Sequence, residues 1–253
     1  MVIAVNRRTL PQVDGLRARL GFWLRNDASR LLWPTRCLVC EEAGGESLDL
    51  CDACHKALPW QRDACRRCAL PLAAGETGSS CGQCLRRPPP LREVHAAFGY
   101  FAPLDRLLPR FKFHQDLTAG RLLSQLMAEA FAGLPKPAAL VPIPLHRARL
   151  RSRGYDQALE LAKPLARALE IPLHDALLVR TRATAAQSTR DAAGRRRNVQ
   201  GAFSVMRADG AVPAHVVLID DVMTTGATLH AAADALRRAG VARIDAWVCA
   251  RVP

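Results

Sequence analysis

Thirteen consecutive residues constrain this chain more than any other feature. Val216-Val217-Leu218-Ile219 is a run of four apolar β-formers, and two adjacent carboxylates, Asp220 and Asp221, follow it. Val222 and Met223 lead into Thr224-Thr225-Gly226-Ala227-Thr228, and Leu229 to Ala239 then reads as a helix stopped by Gly240. A continuous apolar run fits a strand buried on both faces, as in a parallel sheet. A loop placed at the carboxyl edge of such a sheet is where open α/β proteins bind ligands. Backbone N–H groups of Thr225 to Thr228 would point out of the helix start and offer an anion site. The hydroxyls of Thr224, Thr225 and Thr228 add donors, while Asp220 and Asp221 are acceptors suited to sugar hydroxyls or a divalent metal.

This segment resembles the phosphoribosyl-pyrophosphate (PRPP) motif of type I phosphoribosyltransferases. The resemblance implies that the Thr-Thr-Gly-Ala-Thr loop cradles a 5-phosphate and that the two acids hold the ribose 2- and 3-hydroxyls. Hydrophobic-Asp-Asp also occurs in Walker B elements and receiver-domain acid pockets. The chain has no GxxxxGK[ST], so a Walker B strand would lack its partner. A receiver pocket leaves the Thr-rich loop unexplained.

Eight of the nine cysteines form four CxxC pairs: Cys37/Cys40, Cys51/Cys54, Cys65/Cys68 and Cys81/Cys84. A CxxC turn presents two thiolates to one metal, and two such turns complete a tetrahedron. Disulfides are the competing use. The start, Met1 to Arg8, does not read as a secretory signal, and the expectation is a cytoplasmic chain with two structural Zn²⁺ ions. Sequential pairing gives two ribbons, Cys37, Cys40, Cys51, Cys54 and Cys65, Cys68, Cys81, Cys84. Interleaved, cross-braced pairing is the alternative. Sequential pairing is preferred because Gly44-Gly45 and Gly75 to Ser80 give each ribbon its own loop. Cys249, in an apolar run, reads as an inert core residue.

At 253 residues the chain has room for one sizeable core and a small module. No apolar run reaches the length of a membrane span, so no transmembrane segment is expected. The net charge of +13 is uneven. Residues 1–36 carry +5, residues 37–90 carry −1 and residues 91–253 carry +9. Arginines cluster at Arg147, Arg149, Arg151 and Arg153, and again at Arg180, Arg182, Arg190, Arg195, Arg196 and Arg197. Such blocks point to polyanions, whether nucleic acid, pyrophosphate or both, against the blander alternative of a solvated basic surface.

Three parts follow from these patterns. Residues 1–33 hold an amphipathic helix, read over 11–33 and ended by Pro34. Residues 34–86 form the double zinc ribbon, and Arg86-Arg87-Pro88-Pro89-Pro90 is a stiff linker. Residues 91–253 form an α/β domain with a parallel sheet. Strands are expected at His95–Phe101, Ala138–Ile143, His215–Ile219 and Ile244–Cys249, with weak ones at Leu177–Arg180 and Ala202–Val205. Helices are expected at Leu104–Phe113, Thr118–Phe131 and Asp156–Leu169, the last kinked or restarted by Pro164. The turn Pro142-Ile143-Pro144 ends a strand beside the acidic one. Arg147 to Arg153 are placed to donate to pyrophosphate oxygens, and Thr181 to Gly194 reads either as a mobile lid or as a basic loop.

From about Pro34 onward the chain resembles the ComF family, competence-associated phosphoribosyltransferase-like proteins with a double zinc ribbon. The motifs that carry this are the CxxC pairs, Tyr100 with Phe111-Lys112-Phe113, and Val141 to Leu145 followed by Arg151-Ser152-Arg153-Gly154-Tyr155-Asp156-Gln157. Arg180, Gln187, Arg195, Asn198-Val199 and Gly201-Ala202-Phe203 continue the pattern. Asp156 stands where Asn is usual, and Gln115-Asp116 where Gly-Asp is common. The resemblance implies a type I phosphoribosyltransferase-like fold, with a parallel sheet and helices on both faces. It implies PRPP with Mg²⁺ as ligand, held by Asp220, Asp221, Thr224, Thr225, Gly226, Ala227 and Thr228, with Pro144, Arg153 and Arg180 around the pyrophosphate. It also implies single-stranded DNA handling with competence or recombination proteins. A nucleobase-salvage phosphoribosyltransferase is the competing expectation, although salvage requires neither zinc ribbons nor arginine clusters.

Overall fold

The computed structural model describes residues 35–72, 80–183, 199–206 and 212–253. The helix expected at 11–33 lies outside them, as do most of the segment 181–194 and Arg190, Arg195, Arg196 and Arg197. The chain divides into two compact units, Met1–Asp52 and Ala53–Pro253.

The described elements run α1 Asp52–Lys56, α2 Gly82–Arg86, β1 Val94–Gly99, α3 Leu104–Phe113, α4 Leu117–Phe131, β2 Ala139–Pro142, α5 Arg147–Arg153, α6 Gln157–Leu169, β3 Leu178–Arg180, β4 Phe203–Val205, β5 His215–Met223, α7 Ala227–Arg238 and β6 Arg243–Arg251. Four strands form one sheet in the order β1-β6-β5-β2, and every pairing is parallel. Parallel strands are covered on both faces, which is why β2, β5 and β6 are apolar without alternation. Val216, Leu218, Ala246 and Val248 pack in one core with Leu229, Ala232, Ala233 and Leu236 of α7. On the other face Trp247 of β6 stacks on Phe131 of α4, with ring centroids 5.0 Å apart.

Both outer strands are shielded, as natural sheet edges usually are. Pro59 to Gln61 bonds to β1, through Gly99 N–H to Pro59 C=O and Gln61 N–H to Ala97 C=O, both at 2.9 Å. Pro172 to His174 does the same for β2 through Leu140.

The helices follow their buried stripes. Leu104, Leu107, Leu108 and Phe111 of α3 are buried, as are Leu122, Leu123, Leu126 and Met127 of α4. The buried Ser124 Oγ donates to Leu161 C=O at 2.9 Å and ties α4 to α6. Pro164 does not start a new segment, since the helix runs unbroken from Gln157 to Leu169. Burial of Leu161, Ala162, Leu165 and Ala166 outweighs the single N–H the proline removes. The two weak strands, β3 and β4, do not join the parallel sheet. They pair with each other, antiparallel, with Arg180 opposite Phe203.

The second ribbon packs into this same core. Cys65, Cys68, Ala69 and Cys84 are buried in one cluster with Leu91, Val94 and Ala96. Val94 N–H donates to Arg66 C=O at 2.8 Å, joining a knuckle of the ribbon to the first residue of β1.

Candidate functional site

The acidic strand is longer than expected. β5 continues past Ile219 to Met223, so Asp220 and Asp221 lie inside it rather than at its end. The extension comes from β6, which pairs Asp220 with Val248, Val222 with Ala250 and Met223 with Arg251. On the other side β2 stops where Pro142 pairs with Ile219. The two acids are therefore covered on one flank and open on the other.

A cavity of about 530 Å³ lies over this open flank. Asp220, Asp221 and Thr228 line it together with Lys112, Arg149, Arg153, Asp156 and Arg180. Asp220 and Thr224 to Thr228 also line a small adjoining crevice of about 30 Å³, and Asp220 and Thr228 belong to both. Gly226 is the N-cap of α7 with φ 72°, in the left-handed region that favours glycine. A Cβ there would fall 2.5 Å from Met223 Cε and 3.1 Å from His230 Nε2, so the tight turn requires this residue. Pro144 is half-buried but lines neither cavity, whereas its neighbours Ile143 and Leu145 line the large one.

The acids differ in their surroundings. Asp221 is 6 % exposed, and Lys112 Nζ sits 2.7 Å from its Oδ2. Each carboxylate also folds back on the chain: Asp221 N–H donates to Asp220 Oδ1 at 2.9 Å, and Val222 N–H to Asp221 Oδ1 at 2.7 Å. Burial, then the adjacent Asp221 charge, push the Asp220 carboxyl up to about 8, with Lys112 opposing. A divalent cation or a row of hydroxyl donors would relieve that repulsion.

Facing the acids is a basic wall. α5 is a single-purpose element with four arginines in seven residues, and Gly154 in the left-handed conformation ends it. No helix was expected here, because four alternate arginines show no apolar period. Helical spacing puts Arg149 and Arg153 on one side and Arg147 and Arg151 on another. Arg149 and Arg153 line the cavity, while Arg147 and Arg151 are exposed. Arg153 Nη1 donates to Gln157 Oε1 at 3.0 Å, and its guanidinium lies 5.5 Å from the Phe113 ring. Arg180 is 9 % exposed and lies 5.5 Å from the Phe203 ring. Burial and the Arg149 charge lower the Arg180 pKa, while Asp220 and Asp156 raise it.

Three participants carried no assigned role in the sequence. Lys112 was visible only as the lysine of Phe-Lys-Phe, and the fold brings it to an acid more than a hundred residues away. Asp156 is the N-cap of α6, and its other oxygen accepts Leu145 N–H at 2.7 Å. It thereby fixes the turn after β2 with both carboxylate oxygens, whereas an Asn, with one side-chain oxygen, could accept only one of the two bonds in this arrangement. Burial is the main cause of its raised pKa. Tyr155 is committed to structure, since its hydroxyl donates to Phe111 C=O.

The cysteines gather in two quartets with the sequential pairing: Cys37, Cys40, Cys51, Cys54 and Cys65, Cys68, Cys81, Cys84, each with its four Sγ atoms within 4.8 Å of one another. Cys40–Cys51 and Cys68–Cys81 Sγ separations are both 3.7 Å. A disulfide is about 2.05 Å. A tetrahedron with Zn–S of about 2.3 Å has edges of about 3.8 Å, so the quartets fit zinc. Burial alone would raise Cys37, but N–H groups of Cys51, Cys40 and Val39 bring it down to about 6. Cys65 is likewise held at about 7 against burial by N–H groups of Cys81 and Arg67. Such N–H donors stabilise thiolate, the ligand form. Burial lowers the Arg251 pKa, and the sulfurs of Cys68, Cys81, Cys84 and Cys65 oppose that shift. Cys249 is fully buried, and burial raises its thiol pKa, which suits an inert core position.

Sheet, loop and quartets define a phosphoribosyltransferase-domain protein with a double zinc ribbon. A double zinc ribbon domain model matches residues 28–85, and a phosphoribosyl transferase domain model matches residues 156–253. The chain is 36 % identical over 209 residues to DNA utilization protein YhgH of Salmonella typhi, covering 80 % of this chain and 90 % of that one. It is 34 % identical over 209 residues, with the same coverage, to Competence protein F of Haemophilus influenzae. Competence protein ComFC of Bacillus subtilis is 32 % identical over 154 residues, 60 % of this chain and 61 % of that one. The chain belongs to the ComF family of competence and DNA utilization proteins. Among the described residues no helix is long and apolar enough to cross a membrane.

Proposed function

We propose that this chain is a cytoplasmic DNA-utilization protein that handles incoming single-stranded DNA and binds PRPP with Mg²⁺ in the cavity over Asp220 and Asp221. The names of its relatives, competence and DNA utilization proteins, favour this over nucleobase salvage. The observation that carries the ligand class is the pairing of an acid pair and a wall of three arginines around one cavity with a threonine-glycine loop lining the crevice that adjoins it.

In this reading Asp220 and Asp221 accept the ribose hydroxyls or hold the metal, displacing Lys112 from Asp221. N–H groups at the start of α7 and the hydroxyls of Thr224, Thr225 and Thr228 take the 5-phosphate. Arg149, Arg153 and Arg180 take the pyrophosphate, where charge would build as it leaves. Displacement at the anomeric carbon passes through a cation-like centre, so the protein's share of phosphoribosyl transfer is positioning and charge stabilisation. Residues 1–33, 34–86 and 91–253 are read as an amphipathic helix, a double ribbon and the ligand-binding domain.

Calorimetry with PRPP and Mg²⁺ tests the site. Asp220→Ala with Asp221→Ala should abolish the binding heat while the chain stays folded. Unchanged affinity in the folded double variant removes the assignment. A pyrophosphate-release assay with a panel of bases separates a transferase from a binding protein.

A further inference from the structure

Arg251, the last residue of β6, is 6 % exposed. A buried guanidinium is ordinarily offset by a carboxylate, because an isolated buried charge is costly. Among the described residues no carboxylate lies within ion-pairing distance of Arg251. Its Nε donates instead to Cys68 C=O at 2.9 Å, and its Nη1 donates to Met223 C=O at 3.2 Å and to Val252 C=O. One guanidinium thus joins a knuckle of the second quartet to the last residue of β5.

Both ends of that link matter. Four thiolates around a divalent zinc leave a net charge of −2. In the second quartet Cys65, Cys68 and Cys84 are buried in the protein core and Cys81 is half-buried, so water screens such a charge only in part. At the other end, Met223 immediately precedes Thr224 of the phosphate loop. Its carbonyl accepts both Arg251 and Val252 N–H, the latter at 3.0 Å. Its Cε also fills the space a Cβ would need at Gly226. Met223 is held at its backbone and packed under the loop at its tip.

We infer that Arg251 is a positioning residue, the buried counter-cation of the second zinc quartet, which clamps that quartet to the end of β5 so that metal loading fixes the Thr224–Thr228 loop. Naming that loop a phosphate site rests on the PRPP reading above, but the clamp itself does not. Outer-shell partners of metal ligands typically shift metal affinity 10–100-fold when removed.

The test uses the full zinc-loaded chain and needs no PRPP. Transfer of zinc to a chromophoric chelator is followed in wild type and Arg251→Met. One zinc equivalent should leave roughly tenfold faster or more, and the other at the wild-type rate. Amide exchange by mass spectrometry of a peptide spanning 222–229 should quicken in Arg251→Met and in Cys81→Ala, which disables the second quartet. It should stay at the wild-type rate in Cys40→Ala, which disables the first. Arg251→Lys keeps the charge but loses the forked donors, so it should release zinc at an intermediate rate and covers the case in which the methionine variant fails to fold. Wild-type release of both zincs from whichever variant folds overturns the counter-cation role. Exchange at 222–229 that is indifferent to Cys81→Ala overturns the clamp. Loss of PRPP binding in wild type, with both readouts as expected, would count against the ligand reading alone.

Discussion

Asp220 behaves as a carboxyl under strain. Its unfolded pKa is 3.8, and burial beside Asp221 lifts it to about 8 in the folded chain. Between those values the native state binds the extra proton, so this group favours folding below pH 4 and loses that contribution as pH rises towards 8. Asp220→Asn should therefore melt at nearly the wild-type temperature at pH 4 and several degrees higher at pH 8, while losing PRPP binding. Thermal unfolding across that range, with a constant difference between the two proteins, would contradict the assignment. Gln115 offers a second test. Its φ of 56° lies in the left-handed region that favours glycine. Gln115→Gly should stabilise the chain by about 0.5–1 kcal/mol in denaturant titration, less what is lost with the exposed Gln115 Nε2 bond to Arg153 C=O. The Thr224–Thr228 loop and the acids were legible because their order is local. Lys112 and the cap role of Asp156 were not, because each acts on a partner that only the fold brings near.

Among the helices of residues 91–253, α5 was the one that sequence periodicity missed. A helix without an apolar stripe gives no signal, and only its cap geometry marks it, with His146 before it and Gly154 after it. Its two arginine pairs should be separable. Arg149→Ala with Arg153→Ala should weaken PRPP binding at least tenfold. Arg147→Ala with Arg151→Ala should spare PRPP but weaken single-stranded oligonucleotides of every sequence alike. It should also flatten the log–log salt slope by roughly 1.4, two contacts at about 0.7 each. Fluorescence polarisation over a salt series reads this, and an unchanged slope makes the outer pair a solvated surface. The strands were legible where they are long and doubly buried, as in β5 and β6. β3 and β4, three residues each, carry too little pattern to reveal that they pair only with each other.

For the whole molecule, the cysteine spacing announced both quartets, and the fold shows what spacing does not: the second shares a core with the sheet. Metal analysis of the purified chain should find two zinc ions, and thiol titration of the native protein should find almost no reactive cysteine. One zinc with four titratable thiols would restrict the metal to a single quartet. The uneven strand ends have a further consequence. β6 walls the acids on one flank as far as Arg251, and β2 falls away after Pro142, so the way in passes α5. A molecule entering there is sorted by charge before it is sorted by shape. An anion taking that route would pass Arg149 and Arg153 before it reached the acids.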